Sequence, residues 1–88
     1  MPAISRFLGI IIYMYTEVHE AHQLPHFHAK HGSDWASFSI DPPVLLAGSL
    51  PRPQLRYVLA WAELHIDELA ENWQLVQAGE PPMKIEGL

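Results

Sequence analysis

The sequence predicts an α+β fold in which a three- or four-stranded antiparallel sheet packs on one long C-terminal helix. The first half of the 88-residue chain contains short segments that are rich in β-branched and aromatic residues or alternate between apolar and polar residues, which is typical of strands. The second half contains a stretch at about residues 53–78 with apolar residues at helical spacing. This length fits one domain, residues 1–88.

The strands are expected at about residues 7–15, 26–30, 35–40 and 44–47. The first reads FLGIIIYMY and is continuously apolar, as in a strand that is covered on both faces. The next two alternate with period two, and HGSD between them is a hairpin loop in which Gly32 can adopt a left-handed conformation. The sequence therefore predicts an antiparallel pair at the centre of the protein.

The register of this hairpin decides where two histidines point. If Ala29 pairs with Ala36, the Phe27 side chain lies opposite Phe38, and these residues face the helix. His26 and His28 then lie together on the other face of the sheet, because successive side chains of a strand alternate. Their cross-strand neighbours are Ser39 and Ser37, and Trp35 lies near Lys30.

The helix carries a heptad stripe at residues 55, 59, 62, 66, 69, 73 and 76. About 26 residues extend roughly 39 Å, which is longer than a globule of about 25 to 30 Å, so the helix either kinks near HIDE or protrudes. Protrusion leaves Leu69, Trp73 and Val76 exposed and predicts a homodimer with Trp73 as the anchor. Alternatively, the tail of residues 79–88 folds back and covers the stripe with Met83, Ile85 and Leu88.

Composition excludes several classes of function. The chain has a formal net charge of -5 and only five Lys and Arg residues, which are scattered, so nucleic acid is an unfavourable partner. It has no cysteine, and any metal site must therefore use His, Asp or Glu. The apolar run near the amino terminus is too short to cross a membrane and lacks the features of a signal peptide. These features predict a cytoplasmic protein with no membrane partner.

Five of the six histidines lie within residues 19–32. His26 and His28 share a strand face, and His22 can fold back to complete a three-nitrogen site for zinc or another divalent metal. The same pair can instead be catalytic, because two imidazoles can activate the 2′-hydroxyl of RNA and protonate the leaving oxygen. A third interpretation is a polar face or interface without chemistry. His65, on the helix, is expected to bond Glu68 or a backbone carbonyl.

Two segments, HQLPHFHAKHG and WAELHIDELAENW, resemble the bacterial family of domains of unknown function numbered 4160, and the likeness extends over nearly the whole chain. The matching residues are His22, Pro25, His26, Phe27, His28, Trp61, Ala62, Leu64, His65, Glu68, Leu69, Asn72 and Trp73. Gln23 and Leu24 separate His22 from Pro25, one residue more than is common in the family. The family has no established activity. The genes of its members resemble small genes that lie beside genes of another uncharacterised family, numbered 2442. This arrangement implies a toxin–antitoxin-like two-gene unit.

The leading hypothesis is a small binding or regulatory module that acts through protein–protein association, with the PHFH strand as its functional surface and a partner protein from an adjacent gene. The alternative is an enzyme, either a histidine-dependent ribonuclease or a metal-dependent hydrolase that uses His26 and His28.

Overall fold

The described residues form a five-stranded antiparallel sheet in chain order, followed by two helices. The computed structural model describes residues 3–16 and 24–88. The strands are β1 (Ala3–Phe7), β2 (Ile10–Tyr13), β3 (His26–His31), β4 (Asp34–Ser39) and β5 (Leu45–Gly48). The α+β class is therefore confirmed, and the expected three or four strands are corrected to five.

The additional strand arises because the apolar run of residues 7–15 is two strands and not one. Leu8 and Gly9 both have positive φ angles, of 49° and 76°, and Phe7 pairs directly with Ile10. Two consecutive positive φ angles are the backbone of a tight two-residue hairpin turn. The chain therefore reverses inside the run, and β1 begins earlier than the predicted strand.

The β3–β4 hairpin has the predicted register. Phe27 pairs with Phe38 and Ala29 with Ala36, and the stacked phenylalanine rings lie 5.3 Å apart between centroids. All four side chains are buried. The alternation of apolar and polar residues determines this pairing, because a slip of one residue would move the phenylalanines to the opposite face.

The C-terminal region forms two helices, α1 (Arg52–Leu64) and α2 (Ile66–Gln77), so the expectation of one long helix is corrected. His65 interrupts the helix with φ −125° and ψ 27°, and its N–H donates to the carbonyl of Ala62 at 3.1 Å. A straight helix of about 39 Å would exceed the longest dimension of the protein, 33 Å. The interruption allows both helices to bury their apolar residues in one core.

That core lies between α1 and one face of the sheet. The Trp61 ring, fully buried, lies 5.3 Å from the ring of Phe7 and 5.8 Å from that of Phe27. Other buried members from the strands and helices are Ile4, Ile10, Ile12, Met14, Ile40, Val58, Ala62, Leu69, Trp73 and Val76. Trp61 thus marks the sheet face that α1 covers.

The C-terminal tail folds back onto β1. The Ile85 N–H donates to the carbonyl of Ile4 at 2.7 Å, and the Trp61 indole N–H donates to the carbonyl of Glu86 at 2.8 Å. Ile85 is buried, whereas Met83 and Leu88 remain about half exposed. The predicted fold-back of the tail is therefore observed, but Ile85 is the one of the three named apolar side chains that enters the core, and the expected burial of Met83 and Leu88 is not found.

The proposed interface residues are inside the protein. Leu69, Trp73 and Val76 have exposed fractions of 0%, 6% and 9%, because the bend at His65 directs α2 onto the core. The exposed stripe on which the dimer prediction depended is therefore absent from this part of α2, and the oligomeric state stays a prediction. Neither described helix has the length and apolarity that crossing a membrane requires.

Candidate functional site

The candidate site is the sheet face opposite α1, here called the open sheet face. Residues that pair directly across antiparallel strands share a face, which puts one set of side chains together on this face: Arg6, Ile11, Tyr13, His26, His28, Lys30, Trp35, Ser37 and Ser39. Most of them are half-buried or exposed. The predicted separation of the two histidines from the helical region at about residues 53–78 is thus confirmed for α1 but not for α2, because the His26 ring contacts Trp73.

His26 and His28 lie in contact with each other. Their ring centroids are 5.1 Å apart, and the rings are nearly perpendicular. The Nδ1 atom of His26 lies 2.8 Å from the carbonyl oxygen of Leu24. Since a carbonyl only accepts hydrogen bonds, this Nδ1 carries the proton and the lone pair of the neutral ring is on Nε2. That lone pair is the group that a metal ion or a general-base reaction would use.

Each histidine ring also packs against an aromatic side chain. His28 stacks on Tyr15 with ring centroids 4.7 Å apart and planes 8° apart. His26 lies 5.2 Å from the ring of Trp73 in α2, so α2 reaches one end of the open sheet face although α1 does not. These contacts hold both imidazoles in defined orientations.

A metal site in the described residues would have only two histidine nitrogens. Two imidazoles that share one zinc ion at about 2.0 to 2.1 Å in tetrahedral geometry have ring centroids roughly 5 Å apart, which matches the observed 5.1 Å separation. No group of three His, Asp or Glu residues suited to a metal occurs within residues 3–16 and 24–88. The third predicted ligand, His22, lies outside the described residues.

Beside the histidines lies a second aromatic pair. Tyr13 stacks on Trp35 with ring centroids 5.5 Å apart, and the Lys30 ammonium lies 5.4 Å from the centroid of the Trp35 ring. Trp35 keeps 39% of its surface exposed. An exposed tryptophan supported by an aromatic neighbour and a cation is suited to contact another molecule.

The charge of the open sheet face contrasts with that of the whole chain. Arg6 and Lys30 both lie on it, two strands apart in one row, at a spacing of about 10 Å. Asp34 is the single acidic residue among the described residues that pair between strands. It pairs with His31, and both lie on the opposite face of the sheet. The face is therefore basic in a protein with a net charge of -5.

A small pocket adjoins the histidines. It has a volume of about 170 Å³ and lies between the start of β3, the end of β4 and α2, with Pro25, Ile40 and Trp73 in its walls. The Ser39 hydroxyl also lines it but donates to the carbonyl of Pro42 at 2.6 Å and accepts from the N–H of Val44 at 3.0 Å. Ser39 therefore stabilises the turn before β5, and we assign its hydroxyl this structural role and no part in binding.

The remaining histidines of the described part have separate surroundings. His65 bonds Glu68 through Nδ1 at 2.5 Å, as expected from the sequence. His31 pairs with Asp34 at the end of the hairpin and lies on the same side as Phe27, away from the pair of His26 and His28. Of the three clustered histidines that the structure describes, it thus places two together.

Sequence reasoning did not single out Tyr13 and Tyr15 as members of the site. Tyr13 pairs with His28, but that register depends on the connection between β2 and β3. Their spacing of two residues is the one available signal, since it places both rings on one face.

Comparison with known proteins identifies a family. No curated protein and no solved structure matches the chain. One family model does, and it covers residues 9–74, which include β2, β3, β4, β5, α1 and most of α2. The open sheet face and the helices that shape it lie largely within this match. The chain belongs to the family described as Domain of unknown function (DUF4160).

Proposed function

We propose that the protein is a small binding module that associates with a partner protein through the open sheet face. One observation carries the proposal: this face combines the stacked pair of Tyr13 and Trp35 with Arg6 and Lys30. Tyrosine, tryptophan and arginine are the residue types that dominate the binding energy of protein interfaces. The complementary surface of the partner is therefore acidic, with a pocket for an indole ring.

The proposed partner is the product of an adjacent gene of the family numbered 2442, in a toxin–antitoxin-like unit. The two parts of the face make separable contributions. The aromatic side chains supply contact area that becomes buried. Arg6 and Lys30 attract an acidic surface, and this attraction raises the association rate and weakens at high salt.

Titration calorimetry of the full chain with the purified partner tests the proposal. Trp35→Ala is expected to weaken binding about 30-fold, the loss of a central hot spot of about 2 kcal/mol. Tyr57→Ala is the matched control, because Tyr57 lies on α1 and is 38% exposed, against 39% for Trp35. Equal effects of the two substitutions, or no binding by the wild type, would contradict the proposal.

A second candidate function, cleavage of RNA, is favoured by one specific observation. Arg6 and Lys30 lie on the same face as His26 and His28, so cations that could bind a phosphate accompany a pair of imidazoles. Cleavage of a single-stranded RNA should persist in chelator and disappear in His28→Ala. An intact RNA after prolonged incubation with the wild type would exclude this candidate.

A further inference from the structure

The two edge strands of the sheet differ in whether another segment covers them. At β1 the tail covers the edge, since the Ile85 N–H donates to the carbonyl of Ile4 at 2.7 Å and the Lys84 ammonium to that of Ala3 at 2.5 Å. At the other edge, β5 pairs with β4 on its inner side, and no described segment pairs with its outer side. All four residues of β5 are exposed. The open edge therefore presents unpaired backbone groups.

The open edge at β5 is a short strand with a bulge in its pairing to β4 and with prolines on both sides, but it has no charged side chain. Residues 42–51 read PPVLLAGSLP and contain no charged residue, whereas edge strands are commonly protected by lysine or by inward-pointing charges. Val44, Leu45 and Leu46 are 48%, 37% and 45% exposed. An apolar edge of this kind is suited to pairing with another strand.

We infer that β5 pairs antiparallel with β5 of a second copy of the chain, so that the two sheets become continuous across a two-fold axis. The charges that flank β5 identify the occupant. Asp41 precedes the strand by four residues and Arg52 follows it by four, and both are exposed. Antiparallel pairing centred on Leu46 or Ala47 brings Asp41 of each copy toward Arg52 of the other, and the symmetry forms this ion pair twice.

The contact is small and the dimer is therefore weak. A strand of four residues covers less than the roughly 800 Å² per partner of a standard stable interface, so association depends on concentration. The contact leaves the open sheet face accessible. Its failure would leave the proposed function untouched, because the two use different surfaces.

Sedimentation equilibrium of the full chain at low salt, over a series of protein concentrations, tests the inference. Leu46→Lys is expected to lower the association constant at least about tenfold by placing a charge on the edge. Leu8→Lys is the matched control, since Leu8 is 56% exposed in the turn between β1 and β2, at the opposite edge of the sheet, and it should leave association unchanged. Amide hydrogen exchange at residues 44–48 should slow as the protein concentration rises.

A charge exchange tests the geometry. Asp41→Lys and Arg52→Glu should each weaken association about three- to tenfold, whereas the double variant should restore it, because the ion pairs form again with reversed sign. A wild-type protein that stays monomeric at hundreds of micromolar would overturn the inference. The inference would also be overturned if Leu46→Lys left the association constant unchanged, or if the double variant associated no better than the single variants. Binding of the partner protein at the β5 edge would overturn it as well.

Discussion

Asn72→Leu tests how the C-terminal tail is held. Asn72 is fully buried in α2, where its amide donates to the carbonyl of Met83 and accepts from the N–H of Met83, both at 2.8 Å. Leucine has the same branching and the same number of non-hydrogen side-chain atoms as asparagine but makes neither bond. Each bond contributes about 1 kcal/mol net, and the freed groups of Met83 gain water, since this residue is half exposed. Loss of the Ile85 docking adds to this, and the expected destabilisation is about 2 to 3 kcal/mol.

Thermal unfolding by circular dichroism measures this loss. For a domain of this size 1 kcal/mol corresponds to about 4 to 8 °C, so Tm should fall by roughly 10 to 20 °C. Gln74→Leu is the control, because Gln74 is an exposed amide of the same helix, and it should leave Tm nearly unchanged. If Asn72→Leu lowers Tm no more than this control, the two hydrogen bonds do not hold the tail and the argument is wrong.

Three further substitutions or additions probe other parts of the chain by the same measurement. Gly87→Ala should lower Tm by the equivalent of about 1 to 3 kcal/mol. The added methyl group would lie 2.9 Å from both the carbonyl oxygen of Arg6 and the Cβ of Phe7. An unchanged Tm would show that the tail is not closely packed. Leu8→Asn should raise stability by about 0.5 to 1 kcal/mol, since asparagine tolerates the positive φ of 49° and Leu8 is 56% exposed; a lower Tm would contradict this. Zinc should raise Tm in the wild type, and the increase should be smaller at acidic pH because imidazoles that bind a metal must lose their protons. His26→Ala should abolish this increase. If zinc leaves Tm unchanged at neutral pH, the metal hypothesis is wrong.

The candidate site was only partly predictable from the sequence. The alternation in β3 and β4 determined that His26 and His28 share a face, because the side-chain period of a strand is two and one face must bury Phe27. The neighbours from β1 and β2 could not be predicted in the same way. Their positions depend on the turn at Leu8 and Gly9 and on how β2 aligns with β3, and neither is visible in a local pattern.

The sequence by itself determined the α+β class, the central hairpin with its register and the helical stripe, since each depends on local periodicity and on turn residues. Only the tertiary structure decided that the helix bends at His65, that the tail docks on α2 through Asn72 and on β1 through Ile85, and that α2 becomes interior. These features join residues far apart in the chain, and their stability comes from burying one shared core. A sequence pattern reports which residues are apolar, whereas the packed structure decides which surfaces cover them.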